Sequence, residues 1–276
     1  MKNALTFDIE DWYQSTYDKN TQVRSVVIEQ TSKVLDILND AEVRATFFIQ
    51  GFIAESFPQI VKEIHKLGHE IGTHGYAHEF IFNQTPSAFA DDLDISIKLL
   101  EDLIGEKVIG YRAPDFSITE QSLWALDILE QRGILYDSSI FPIKNKRYGI
   151  PNFKRHFHYV DENLQRLIEF PLSTIRILGK NLPISGGGYF RLLPYSIIKS
   201  ALKRINTEGM PAMVYMHPYE FDHYDISSIP RISNGLSDNL FRFMQNMNRN
   251  KSEIKLRKLL RDFNFSTVKE VLNLDR

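Results

Sequence analysis

"MKNALTFDIEDWYQ" (residues 1–14) joins an apolar run that reads as a first strand, NALTFDI, to three acids, Asp8, Glu10 and Asp11. Carboxylates so close together repel one another, which a solvated turn tolerates and a bound cation relieves. The rest of the chain decides between the two. Downstream, short apolar runs alternate with longer amphipathic ones. RATFFI (44–49), HEIGTH (69–74), KVIGYRAP (107–114), ILYDSS (134–139) and PAMVYMHP (211–218) read as strands. The runs 23–41, 57–68, 87–105, 119–133 and 197–209 read as helices, with Thr119 a candidate cap for the fourth and LRKLLRDF (256–263) a further helix. Repeated strand-then-helix units predict an α/β architecture around a parallel sheet.

From Phe141 to Pro194 the rhythm breaks, and this region is read as an insertion of β and loop character within the same domain. No linker rich in Ser, Pro or Gly divides the 276 residues, so a single domain is expected. The 33 basic and 35 acidic residues give a net charge of -2, which argues against a nucleic-acid partner. Without cysteine, any metal must rest on His, carboxylate or backbone oxygen. Neither a secretory leader nor an apolar run of about 20 residues is evident, so the cytoplasm is the expected compartment, with peripheral contact at the inner membrane face left open. Composition gives no oligomeric state.

Polar residues fall where predicted strands end: Asp8, His74, Arg112, Asp137 and His217. In barrel-like α/β folds those ends face one rim, where catalytic groups collect. In THGYAH, His74 and His78 are four apart, a spacing that one helical turn would bring to one side, as a pair able to share a divalent cation. Asp8, Glu10 and Asp11 offer the missing carboxylate. His217 alone reads as a buried, hydrogen-bonded histidine, and beside a metal as a proton donor. Arg112 can orient a carboxylate bidentately, and Asp137 can be a simple cap. SGGGYF (185–190) lacks the Lys-Ser/Thr of a phosphate loop and reads as a flexible loop or a close backbone approach to a ligand.

Taken in order, TFDIED, ATFFIQG, GHEIGTHGYAH, YRAPDF, YDSS and VYMHP resemble the motifs of the polysaccharide deacetylase family, also called carbohydrate esterase family 4, from about Leu5 to Pro218. DIEDW with GGGYFRLLPY is similar to a subgroup found with exopolysaccharide and O-antigen synthesis. The resemblance implies a distorted (β/α) barrel and a metal-dependent N-deacetylase acting on an N-acetylated sugar or oligosaccharide. It implies Asp8 as general base, steadied by Arg112, and His217 as general acid. His74 and His78 become ligands of a divalent ion, with zinc expected. A backbone N–H near Asp115 becomes an oxyanion donor. Substrate contacts fall on Asp115, Phe116, Asp137, Tyr215, Gly187 and Tyr189. Three positions depart from the pattern, one of them Asp115, which stands where an aromatic is common. Ile9 stands where the family has its metal carboxylate, so Asp11 is expected to replace it, with Glu10 the alternative. Pro218 stands where Asp often follows the acid histidine. A deformylase or other amidase on the same scaffold, and a catalytically inactive carbohydrate-binding homologue, are the competing readings.

Overall fold

The computed structural model describes residues 1–19, 21–145, 147–184, 186–222 and 236–274. Strand β1 (Lys2–Ile9) is buried at every position after its first, as a parallel strand covered on both faces must be. It pairs in parallel with β2 (Thr46–Ile49), which pairs with β3 (Glu70–Thr73). β4 (Gly110–Tyr111) and β5 (Tyr136–Asp137) continue the sheet in the same sense. On the other flank of the order, β10 (Met213–Met216) pairs with Ala4–Phe7, and β11 (Asn264–Ser266) pairs with Lys2–Ala4. The order β10-β1-β2-β3-β4-β5, continued by β7 (Ile168–Glu169) and β6 (His158–Tyr159), forms a curled half-barrel whose main parallel strands end at one rim. That is the mixed α/β architecture expected from the alternation of elements.

The helices between strands are α1 (Val26–Asp40), α2 (Gly51–Ser56), α3 (Pro58–Lys66), α4 (Pro86–Ile104) and α5 (Trp124–Gln131). α4 has a complete set of end signals. Thr85 accepts from Ala88 N–H at 3.2 Å, Pro86 occupies the first turn, and Gly105 closes the helix at φ 72°. α5 begins at Trp124, five residues beyond its expected cap. Thr119 N–H instead donates to Ser122 Oγ at 2.9 Å, making a separate turn before the helix. Ile, Val, Leu and Phe side chains of β1–β3 pack against the helices outside, while Phe48, Phe116, Tyr136, Met213 and Tyr215 fill the inner face.

The region from Phe141 to Pro194 is more than an insertion. Its strand β7 (Ile168–Glu169) pairs in parallel with β5 and extends the main sheet, and β6 (His158–Tyr159) adds an antiparallel edge. Strands of two residues carry no readable period, which is why the sequence hides them. Among the described residues, the hairpin of β8 (Thr174–Ile177) and β9 (Lys180–Pro183) stands off the sheet. Helices α6 (Gly187–Leu192) and α7 (Tyr195–Thr207) then lead back to β10. Among the described residues, no helix is long and apolar enough to cross a membrane.

Candidate active site

Side chains alternate along a strand, so Asp8 and Glu10 at the end of β1 face the same way and Asp11 does not. Asp11 turns to Arg24, whose backbone N–H and Nε both reach Oδ2 at 2.9 Å, and it also accepts from Tyr13 N–H at 3.2 Å. Asp11 therefore fixes the turn after β1 and lies apart from the histidine pair. Glu10 is the carboxylate that joins His74 and His78, all three buried, with one ligand atom from each within 4.8 Å of the others. Strand alternation was the available signal for this choice.

His74 and His78 do not share a helical turn. They flank a loop after β3 in which Gly75 and His78 both take positive φ, 71° and 57°. His74 Nδ1 lies 2.8 Å from the carbonyl of Arg112. A carbonyl can only accept, so Nδ1 carries a proton, and Nε2 is the ring atom that faces Glu10 Oε2, at 3.8 Å. His78 Nε2 lies 2.6 Å from the same oxygen and is paired with it, while its buried Nδ1 has no hydrogen-bond partner among the described residues. Two imidazoles and a carboxylate gathered out of water suit a cation better than they suit the bare protein. Two imidazoles and one carboxylate form a donor set typical of zinc sites, and the His74 proton on a backbone carbonyl is the usual way such a ligand is oriented. Burial alone would raise the Glu10 pKa, but His78 and His74 outweigh it and hold the group well below the usual carboxylate range. Burial likewise opposes charge on His78, and Glu10 pushes its pKa up.

Asp8 is held from below by Arg112, which is completely buried at the end of β4. One guanidinium nitrogen, Nη1, donates to Asp8 Oδ1 and to Thr6 Oγ1, both at 2.7 Å. Nε and Nη2 donate to Ser138, its carbonyl at 3.0 Å and its hydroxyl at 2.9 Å. The grip on Asp8 is thus monodentate, unlike the bidentate one expected, because the rest of the fork serves β5. The Phe48 ring lies 4.2 Å from the guanidinium carbon.

His217 follows β10. Its Nε2 looks into the site, 4.0 Å from Asp8 Oδ2 and 3.8 Å from Glu10 Oε1. Its Nδ1 is 2.7 Å from Glu220 Oε1. Arg191, buried on α6, donates Nε to Glu220 Oε2 at 3.0 Å, and its Nη1 reaches the carbonyl of Gln245 at 2.7 Å. Glu220 so takes the supporting place that Pro218 leaves open. Burial acts to lower the His217 pKa, but the Glu220 bond and the charges of Glu10, Glu220 and Asp8 raise it to about 9. The Arg191–Glu220 contact escapes a sequence reading because the two lie 29 residues apart, and Arg191, though within GGGYFRLLPY, shows no local sign of its partner.

These groups open onto a cavity of about 210 Å³, whose lining includes Asp8, Glu10, His74, Asp115, Phe116, Tyr215 and His217. Asp115 and Phe116 both adopt left-handed φ, 52° and 53°, a strain that concentrates at functional sites. Gly187 also lines the cavity, and a Cβ on its neighbour Gly186 would lie 2.0 Å from Tyr215 Cδ1. The glycines therefore permit close approach to an in-chain aromatic; Ser185 of the same stretch lies outside the described residues. Two expected substrate contacts are placed elsewhere. Asp137 is fully buried beside its register partner Glu169, and burial raises the pKa of both acids. Tyr189 faces a different cavity, with Ile143, Asn181 and Leu182.

Residues 3–134 match the family model described as Polysaccharide deacetylase, and residues 138–273 match one described as Domain of unknown function (DUF3473). The chain is 36% identical over 126 residues to the Peptidoglycan deacetylase-like protein FGM2 of Gibberella zeae, covering 46% of this chain and 36% of that one. It is 32% identical over 123 residues to a Peptidoglycan-N-acetylglucosamine deacetylase of Bacillus cereus, covering 40% and 45%. The chain spans less than half the length of these curated relatives. A solved "putative polysaccharide deacetylase" from Mycobacterium smegmatis superposes with a TM-score of 0.63 at 20% identity, over 98% of this chain and 88% of that one, and shares the fold. The first half of the chain is thus similar to polysaccharide deacetylases, and the second half to a domain of unknown function.

Proposed function

We propose that this protein is a metal-dependent carbohydrate N-deacetylase that hydrolyses acetamide groups on an amino sugar of a polysaccharide or its precursor. Exopolysaccharide or O-antigen synthesis is the setting proposed, on the cytoplasmic side of the membrane. One observation carries the reading: Asp8, the Glu10-His74-His78 group and His217 converge on one buried rim, with Asp8 and His217 4.0 Å apart. Glu10, His74 and His78 would hold a divalent cation, zinc by the donor set. When bound, such a cation supplies Lewis-acid polarisation of the amide carbonyl and acidifies water.

The chain's own residues account for the proton traffic. Arg112 holds Asp8 through Oδ1, leaving Oδ2 to take the proton of the attacking water. His217 gives its Nε2 proton to the amine nitrogen as the C–N bond breaks, while Glu220 anchors Nδ1. The backbone N–H of Asp115, in the strained turn, would stabilise the oxyanion, where one donor is typically worth about 3–4 kcal/mol of barrier, while that of Phe116 is committed to the Ala113 carbonyl at 3.1 Å. Acetate and a free amine leave. The inactive-homologue reading rested on Ile9 and Pro218; Glu10 and Glu220 compensate for both, which favours an active enzyme.

The test is metal analysis together with acetate release. Asp8→Asn is expected to keep the metal and lose at least about 100-fold in turnover, whereas His74→Ala loses both metal and turnover. Equal behaviour of the two variants would contradict the assigned roles, and formate in place of acetate would convert the reading to a deformylase.

A further inference from the structure

The hairpin of β8 and β9 ends in a turn whose sequence the fold itself does not call for. Ile177 pairs directly with Lys180, so Leu178 and Gly179 alone make the turn. Both take positive φ, 47° and 76°. Two-residue turns of this form favour Asn, Asp or Gly at the first position, because a side chain such as leucine strains a left-handed backbone. Leu178 recovers none of that strain inside the molecule, being 97% exposed. Ile177 and Leu182 lie on one face of the hairpin and are 40% and 42% exposed. The base, by contrast, is fixed. Ile175 packs in the outer core, Asn181 Nδ2 donates to the carbonyl of Pro142 at 2.8 Å, and Arg204 Nη2 on α7 donates to the carbonyl of Arg176 at 2.9 Å. A held base and a bare apolar tip make a firm projection.

Cations flank the tip. Arg176 and Lys180 lie within two residues of Leu178, and both are exposed. Lys144, also exposed, walls the same cleft of about 440 Å³ as Lys180. Among the described residues, none of these three forms an ion pair, while Glu208, beside Arg204, is paired with Arg155 and with Arg204 itself. The whole chain carries a net charge of -2, so this positive excess is local. Shape then selects the partner. A two-residue turn is narrow and convex, and offers far less than the roughly 1,200 Å² that a stable protein interface buries. A bilayer accepts such a tip: apolar side chains enter the boundary between headgroups and acyl chains, while Arg and Lys keep their charges at the phosphates.

We propose that the β8–β9 hairpin is a membrane-docking element, which inserts Leu178 and Ile177 into an anionic bilayer surface and is held there by Arg176, Lys180 and Lys144. The assignment does not rest on the deacetylase reading, since it concerns where the protein sits and not what it cleaves.

The test is co-sedimentation of the full chain with vesicles of phosphatidylcholine, alone or mixed with about 30% phosphatidylglycerol. Binding is expected with the mixed vesicles, should weaken as salt rises, and should be at least about tenfold weaker with phosphatidylcholine alone. Leu178→Asn places a residue that the turn favours, so it should melt no lower than the wild type and yet bind mixed vesicles about tenfold more weakly. Replacing Arg176 and Lys180 together by Gln should also cost about tenfold or more. No binding to the mixed vesicles, equal binding to both compositions, or undiminished binding by folded Leu178→Asn overturns the proposal. Self-association that depends on Leu178, without vesicle binding, overturns it too and makes the tip a contact between protein chains.

Discussion

Residues 3–134 and 138–273 build facing walls of one cavity by different means. The first half works through regular β-α units, and its chemistry sits on strand ends or the loops directly after them: Asp8, Glu10, His74, His78 and Arg112. Its support is backbone-close, as when the His74 imidazole is fixed by the carbonyl of Arg112. The second half contributes one strand-end group, His217, and supports it with side chains from elsewhere, Glu220 after β10 and Arg191 on α6. Placing a metal group needs a rigid frame, which parallel strands supply. Placing a proton donor needs one well-chosen carboxylate, which an irregular region can supply as well.

The largest expected effect separates the two acids at the end of β1. Glu10→Gln should cost more than about 100-fold in zinc affinity, since even outer partners of ligands commonly cost 10–100-fold, and activity should vanish with the metal. Asp11→Asn should keep the zinc and instead lower stability by about 1–3 kcal/mol, because it weakens charge-assisted bonds to Arg24. Metal content and a denaturant curve for each variant decide this; zinc loss from the Asp11 variant alone would reverse the assignment.

A smaller effect probes the second half. Glu220→Gln should keep the metal and lower kcat by about 100-fold, the lower end of what general acid catalysis contributes. The carboxylate that raises the His217 pKa would be gone. An acid must be protonated to act, so activity falls as pH rises through its pKa, and the alkaline limb of the kcat profile should move to lower pH. An unshifted limb would break the link between Glu220 and His217.

The smallest effect concerns the buried pair behind the site. Burial raises the Glu169 pKa well above its ordinary 4.5, with Asp137 adding to the rise. Between the unfolded and folded values the native state holds a proton that the unfolded chain has released. Stability therefore falls as pH climbs through that window, by at most about 1.4 kcal/mol per pH unit for one proton. Glu169→Gln cannot ionise, so its stability should change less from pH 5 to 8 than that of the wild type. Parallel pH profiles from urea unfolding would remove Glu169 as the source.

The α/β class and the rim of polar residues were legible because long amphipathic helices and apolar strands have clear periods, and because His, Arg and Asp at successive strand ends are unusual in solvated loops. Glu10, not Asp11, lies with the histidines, a difference that alternation along β1 explains and motif spacing does not. His74 and His78 lie together, but a glycine-bent loop brings them there instead of a helix. Two-residue strands such as β7 and the Arg191–Glu220 contact left no local signature, since their meaning lies in partners far along the chain.

β1 also bears on how the molecule is assembled. Its flanking partners are Thr46–Ile49 on one side of the order and Met213–Met216 on the other, with Asn264–Ser266 against its first residues. During synthesis, the segment carrying Asp8 and Glu10 must wait for more than two hundred further residues before its neighbours all exist. Such high contact order slows folding and leaves a hydrophobic strand open meanwhile. Ribosome-stalled chains ending before Met213 should therefore bind chaperones and stay sensitive to protease.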